Sequence, residues 1–355
     1  MSNKSRKTRD SNMELLRLVA MLLVLVVHAN FRALPVPGYT HVHANPSSAF
    51  LMFMTEAFSI YAVDLFVLLS GWYGIRFKGK RLAELVFQVL FFGVFAIGVC
   101  AMFAPEELSH DVLSRLFLLG VNDYWFVKAY VALYLLSPVL NAFVEQASRR
   151  QFAMVLATFF AFQFIYGWAF ESTRWLVAGY SLPSFIGLYL LARFMRLHPL
   201  RVWQLSRWVD LAIYLGIVAT LTVAMFVIKQ HAGRGGALYF YICPLVILGA
   251  MHLLLFFSKF SFHSRVVNWL AISAFAAYLT QSSSFIGGRF YDQIILNWFN
   301  NEPRFQFILY CIPFVVAVFF GSILIDKVRI ALWCLIEHSL PWGNKQQTKN
   351  TIQNQ

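Results

Sequence analysis

Two ionisable residues, Arg17 and His28, interrupt an apolar stretch that runs from Met13 to Asn30. They are eleven residues apart in the sequence. That spacing is about three turns of an α-helix, so both side chains lie on one helix face, about 16 Å apart. Ionisable groups inside a membrane-spanning helix are costly and normally face a protein interior or a wet cavity. We therefore predict that this helix face forms the wall of a site.

His28 is the first candidate for catalysis. A neutral imidazole can take a proton from a hydroxyl group, as a general base does. The alternative is a histidine that is hydrogen-bonded only for packing near a helix end. Arg17 also has two interpretations, because Glu14 lies three residues before it and can pair with it on the helix surface. Arg17 is either held in that ion pair or available to an anionic ligand.

Asp64 is a third ionisable residue at membrane depth, in the second apolar stretch. Its charge requires a partner. Arg17 and His28 are both candidates, and Asp64 is predicted to orient His28 if that contact forms. The alternative is a carboxyl group bonded to a neighbouring helix.

A dense group of cations follows the second apolar stretch, at Arg76, Lys78, Lys80 and Arg81. The tendency of Lys and Arg to collect in cytoplasmic loops would explain this group without any ligand. The functional interpretation is a phosphate clamp, because arginine binds phosphate through two parallel hydrogen bonds.

Two further polar groups could line a substrate site. Trp125 fits an aromatic belt at the membrane interface, whereas Lys128 either extends toward water or faces the interior. Tyr278 and Gln281 precede a run of three serines in a late apolar stretch. Hydrogen bonds between helices are one explanation for such residues, and a polar lining for a sugar hydroxyl is the other.

Composition places the chain in the membrane. Apolar residues make up 59% of the sequence and charged residues only 13%, against about 45–50% and about 25% in soluble domains. The net charge of +13 is explained by basic cytoplasmic loops rather than by a nucleic-acid partner. The four cysteines have no metal-ligand spacing, so we predict no metal site.

Hydropathy predicts an all-α bundle of about ten membrane spans. A cytoplasmic N-terminus places 20 of the 29 Lys and Arg residues inside and 8 outside, which favours both termini in the cytoplasm. Residues 1–12 are predicted as a basic cytoplasmic segment, 13–326 as the transmembrane domain and 327–355 as a polar cytoplasmic tail. Segment 111–119 is too short to cross and is predicted to lie at the interface. The predicted spans are 13–33, 49–72, 82–103, 123–144, 152–170, 175–192, 210–229, 237–257, 267–287 and 305–325.

Three segments in order resemble the integral membrane proteins of acyltransferase family 3. Arg17 and His28 match the family's arginine, ten residues and histidine in the first span. VDLFVLLSGW is similar to its second-span segment, and YWFVKAYVALYLLSPVLN to its later Leu-Tyr-Leu-Leu-Ser-Pro segment. Two positions depart from the family. The family's Arg-x-x-Arg is read here as Lys78-x-x-Arg81, and Gln281 replaces the histidine of a Tyr-Leu-x-His pattern.

The resemblance implies an enzyme of the cell inner (plasma) membrane. Such enzymes move an acyl group, usually acetyl from coenzyme A, to a hydroxyl of a cell-surface or lipid-linked glycan. His28 would be the essential histidine, acting as general base or acyl carrier, with Arg17 as its partner. Arg76, Lys78 and Arg81 would contact the donor. The rival class is a transporter or flippase for a polar lipid or glycan intermediate, which would also place charged residues in the membrane.

Overall fold

The computed structural model describes residues 10–107 and 124–339, and these residues form helices without any β-strand. This confirms the predicted all-α transmembrane bundle. The helices, numbered in chain order over these two ranges, are α1 Ser11–Val27, α2 Tyr39–Ala44, α3 Pro46–Ser59, α4 Ala62–Tyr73, α5 Gly79–Phe103, α6 Trp125–Gln146, α7 Arg149–Phe162, α8 Leu182–Leu197, α9 Arg207–Gln230, α10 Pro244–Ser258, α11 Arg265–Ala271, α12 Phe275–Ser282, α13 Gln293–Asn301 and α14 Arg304–Ser339.

Eight helical stretches in the described residues are long and apolar enough to cross a bilayer. They correspond to eight of the ten predicted spans. The other two predicted spans, 175–192 and 267–287, fall on helices that are shorter or broken. The predicted interfacial segment 111–119 lies outside the described residues.

The predicted span 175–192 is displaced along the chain, because α8 begins only at Leu182. Gly179 adopts a φ of 92° just before this helix, a backbone conformation that glycine tolerates and that interrupts a helix. Pro183 then occupies the first turn of α8, where its missing N–H costs no hydrogen bond. The displacement carries Arg193 and Arg196 into the helix.

The predicted span 267–287 is broken into α11, α12 and a wide π-helical turn from Ser284 to Asp292. Ser283 has an extended backbone, and its hydroxyl accepts a hydrogen bond from the Ile286 N–H at 3.4 Å. Serine hydroxyls that bond to nearby backbone in this way compete with a continuous helix. The break brings Asp292 beside the end of the first span.

Helix α14 continues past the predicted tail boundary at residue 327, as far as Ser339. Arg329 and Trp333 are buried beyond that boundary. The Arg329 guanidinium donates two hydrogen bonds to the carboxylate of Asp326, at 2.7 and 3.0 Å. A hydropathy profile ends the span near this pair, because it counts the charges of Asp326 and Arg329 and takes no account of the hydrogen bonds between them. Residues 1–9 and 340–355 lie outside the described ranges.

Helix α1 lies inside the bundle and contacts α3, α4, α10, α11, α12 and α14. At its start, the Ser11 hydroxyl donates to Asn268 at 3.0 Å, and Asp10 accepts from the Tyr73 hydroxyl at 3.0 Å. We call this end of the bundle, with residues 10–14, 73–81 and the end of α14, the basic end. The opposite end holds His28 and is called the His28 end.

Candidate active site

His28 lies where the first span changes its helical pattern. The α-helix stops at Val27, and His28–Arg32 continue it as a π-helical turn, a feature often found at functional sites. The Tyr291 hydroxyl donates to the Leu25 carbonyl at 2.8 Å and fixes this part of α1. The His28 side chain lines a cavity of about 20 Å³, which is enough for about one water molecule.

Phe, Tyr and Trp make up six of the twelve residues that line the cavity. Trp125 stacks on Tyr241 with ring centroids 6.0 Å apart, and Tyr278 stacks on Phe275 at 5.5 Å. The remaining lining residues are Met21, Val24, Val27, Ala62, Val63, Phe66 and Phe126. A largely apolar wall strengthens the electrostatic effect of each polar group inside it.

Two described side chains make polar contacts with the His28 ring, and both do so at Nδ1. Nδ1 is hydrogen-bonded to the side-chain amide of Gln281 and lies 3.2 Å from Nη1 of Arg32. Both carboxylate oxygens of Asp292 accept from Arg32, with the shortest contacts to Nη2 at 2.7 Å and to Nε at 3.1 Å. Burial raises the pKa of the Asp292 carboxyl, and the Arg32 guanidinium opposes that shift. In the described part of the chain, Nε2 of His28 makes no hydrogen bond and is available to a substrate.

Gly287 allows the π-helical turn to close over this group. A Cβ at this position would lie 1.8 Å from the Gln281 carbonyl oxygen and 3.1 Å from Arg32 Nη2. At Gly288 a Cβ would meet nothing within 4 Å.

We expect Gly287→Ala to reduce activity strongly, because the turn must move away and take Asp292 with it. Turnover of the purified variant measures the effect, and Gly288→Ala is the matched control that should keep the wild-type rate. Equal rates for the two variants would contradict this account of the turn.

Three of the four predicted substrate residues are at the cavity. Trp125 and Tyr278 line it, and Gln281 contacts His28. Lys128 is partly buried but is not among the lining residues.

Arg17 does not reach the cavity in this structure. Its guanidinium pairs with Glu14, the ion-pair alternative left open by the sequence. The cavity extends along α1 only as far as Met21, one helical turn short of Arg17. Of the helix face predicted to form the wall of a site, this cavity therefore includes His28 and not Arg17.

Asp64 is fully buried, and neither carboxylate oxygen has a hydrogen-bond partner among the described residues. The expectation that Asp64 orients His28 is not met, because Gln281 and Arg32 hold the Nδ1 side of the ring instead. Sequence reasoning missed Arg32, although it follows His28 by four residues. That spacing, one turn on the same helix face, was the available signal.

The basic loop, residues 74–81 at the basic end of the bundle, is held by hydrogen bonds between side chains of α6 and its own backbone, at Ile75 and Lys78. The Tyr134 hydroxyl bonds to the N–H and C=O of Lys78, at 2.9 and 3.2 Å. Asn141 donates to the Ile75 carbonyl at 2.7 Å. The side chains of the predicted clamp residues are exposed, namely Arg76, Lys78 and Arg81. Lys80 is engaged in an ion pair with Glu337.

Arg193 joins this basic group and was not predicted as a site residue. Its guanidinium lies 3.2 Å from where a Cβ of Gly74 would be, and its buried Nε has no hydrogen-bond partner among the described residues. The close approach of α4 and α8 makes this possible, since a Cβ on Gly71 would lie 2.4 Å from the Tyr189 carbonyl oxygen. Arg196 stacks over the ring of Trp72 nearby, at 5.0 Å.

In a comparison with protein families, residues 10–327 match the acyltransferase domain of family 3. The chain belongs to acyltransferase family 3. No curated protein and no solved structure matches it. The match extends from the residue before α1 into α14, so it includes the His28 cavity and the basic loop. Together with the eight apolar helical stretches, family membership makes this chain a multi-pass membrane acyltransferase.

Proposed function

We propose that this acyltransferase moves an acetyl group from acetyl-CoA to a hydroxyl of a cell-surface or lipid-linked glycan in the plasma membrane. The observation that carries the proposal is the environment of His28. One nitrogen of the imidazole is held by Gln281 and Arg32, and the other is free beside an aromatic cavity. A positioned imidazole in a largely apolar site is suited to acyl transfer.

The two ends of the bundle suit the two substrates. Lys and Arg collect in cytoplasmic loops, so the basic end is proposed to face the cytoplasm, where the donor is made. Helix α4 joins the two regions, because Ala62 lines the cavity and Tyr73 precedes the basic loop. The eleven residue-to-residue steps from Ala62 to Tyr73 rise about 17 Å along the helix axis. This distance suits an extended pantetheine arm. Arg17 lies between these regions and would contact the arm as it passes.

The cavity must widen for catalysis, since a volume of about 20 Å³ holds a water molecule and not an acetyl group. The aromatic side chains of the wall would move apart as the thioester enters. They would then exclude water from the acyl group, which protects it from hydrolysis.

We predict that Arg81→Ala raises the KM for acetyl-CoA with little change in kcat. The phosphates would bind at the exposed Arg76, Lys78 and Arg81, with Arg193 beside them. Losing an exposed contact of this kind costs about 1 kcal/mol, or about fivefold in KM. Initial rates at varied donor concentration measure it. Arg149→Ala is the control, as this exposed arginine at the start of α7 is outside the loop. An unchanged KM in Arg81→Ala would remove that residue from the donor site.

Labelled acetyl-CoA tests the proposal directly. The purified protein in lipid nanodiscs is expected to release free coenzyme A and to transfer label to a glycan acceptor from its own membrane. Movement of a labelled lipid without consumption of donor would support the transporter class instead. Absence of both donor turnover and transfer, with acceptor present, would refute the proposed acetyl donor.

A further inference from the structure

The groups around Nδ1 of His28 determine which ring nitrogen carries the proton. A guanidinium has N–H donors and no acceptor. Nη1 of Arg32 lies 3.2 Å from Nδ1, and this contact is favourable only if Nδ1 offers a lone pair. A neutral imidazole carries one proton, and that proton is therefore on Nε2. This nitrogen is also the one left available to a substrate.

Gln281 leads to the same assignment. The amide oxygen, and not the amide nitrogen, must face the donor-only Arg32, and it then lies 2.5 Å from Nη2. In that orientation the NH₂ group of Gln281 faces Nδ1 of His28 and donates to it, and this group is nearer to Nδ1 than the amide oxygen, which lies 3.1 Å away. Two different side chains thus supply donors to the same nitrogen.

The arrangement is anchored from outside the ring. Asp292 fixes the Arg32 guanidinium through Nη2 and Nε. Nη1 of Arg32 also donates to the backbone carbonyl of Gln281 at 3.2 Å. Gly287 allows the turn that carries Asp292 to pack directly on both residues. Arg32 therefore has little freedom to rotate away from His28.

We propose that Arg32 and Gln281 are positioning residues that keep His28 in the Nε2–H tautomer, so that His28 donates a hydrogen bond to the thioester carbonyl oxygen. This role rests on the proposed function and argues against the roles of general base and acyl carrier. Both of those roles need a lone pair on Nε2, which this tautomer does not have.

The transfer step balances without removing a proton from His28. The acceptor hydroxyl attacks the thioester carbon, and the electron pair of the C=O bond moves to oxygen, where Nε2–H stabilises the negative charge. The C–S bond then breaks, and its electron pair goes to sulfur. The hydroxyl proton goes to the same sulfur, directly or through one water. The products are the ester and free coenzyme A.

The substitution Gln281→Glu separates this role from that of a base. The two side chains have the same shape, but a carboxylate accepts from Nδ1 and would move the ring proton there. Nε2 would become a base and lose its donor. We expect the transfer rate to fall by about 10²-fold or more, the effect of losing one oxyanion donor. A general base would work as well or better in Gln281→Glu, so a rate equal to or above wild type overturns the proposal.

The second substitution is His28→Gln, which keeps an N–H donor near the position of Nε2. We expect it to transfer at least about tenfold faster than His28→Ala, since it retains part of the oxyanion contact. A general base or acyl carrier would be lost equally in both variants. Equal residual rates would therefore count against the donor role.

Nitrogen-15 NMR of histidine-labelled protein identifies the tautomer of His28 and does not depend on enzyme activity. The His28 signals, one set among nine histidines, are identified by their loss in His28→Ala. We expect an unprotonated Nδ1 and a protonated Nε2 in the wild type, and the reverse in Gln281→Glu. A protonated Nδ1 in the wild type overturns the inference whatever the activity. If Nδ1 is unprotonated in a protein that transfers no acetyl group, the tautomer assignment stands and the proposed function is refuted.

Discussion

Replacement of His28 by alanine is expected to reduce acetyl transfer by about 10²- to 10⁴-fold, the range for losing one positioned acid, base or oxyanion donor. The imidazole at the cavity combines a held orientation with a nitrogen that makes no hydrogen bond to any described residue. Its loss removes the group that would contact the reacting carbonyl. The basic loop at the other end is untouched, so the KM for acetyl-CoA should change little.

The same substitution should leave the protein folded, which makes the rate informative. Arg32 keeps its pair with Asp292 when the ring is gone, so no charge is left without a partner. The transfer of labelled acetyl groups by purified protein measures the result. The control is His231→Ala, an exposed histidine on the His28 end whose Nδ1 bonds only to its own helix, at the Val227 carbonyl. A His28→Ala variant that transfers at the wild-type rate would end the catalytic assignment.

Local patterns in the sequence predict those features that depend on a single helix. The spacing of Arg17 and His28 places both on one face of α1, and Met21, Val24 and His28 of that face do line the cavity. Glu14 pairs with Arg17 as the three-residue spacing allows. Apolar length alone finds the spans, because the bilayer fixes how long an apolar helix must be.

Contacts between distant segments could not be read in the same way. Gln281 lies 253 residues after His28, and nothing in its own segment specifies that partner. From the sequence alone, Gln281 could equally be a residue that only bonds to another helix. The sequence also gives no reason to choose Gln281 rather than Asp64 as the residue that orients the ring of His28. The contact of Asp292 with Arg32 depends on the break in the helix after α12. A hydropathy profile averages over that break and predicts one continuous span. The resemblance to the family predicts a histidine at position 281, where this sequence has a glutamine, and the structure places the side chain of Gln281 against Nδ1 of His28.

The buried charge cluster between α5 and α14 should be the most sensitive part of the fold. Asp326 is fully buried and accepts hydrogen bonds from Arg329 and from Gln88, the latter at 2.9 Å. Arg329 is itself only 2% exposed. Asp326→Ala would leave a buried guanidinium whose nearest other carboxylate is Glu84, 3.7 Å from Nη1. Removing one partner of a buried pair costs about 3–5 kcal/mol.

We therefore expect Asp326→Ala to lower the apparent melting temperature sharply and to reduce the yield of monodisperse protein in detergent. Glu84→Ala is the matched control, because its half-exposed contact to the same arginine contributes little. The pair substitution Asp326→Leu with Arg329→Leu removes both charges, and apolar replacement of a buried ion pair is often neutral or stabilising. Recovery of stability in this double variant would assign the loss to the unpaired guanidinium. If the double variant is as unstable as Asp326→Ala, the hydrogen bond to Gln88 and the packing of α14 on α5 carry the stability instead.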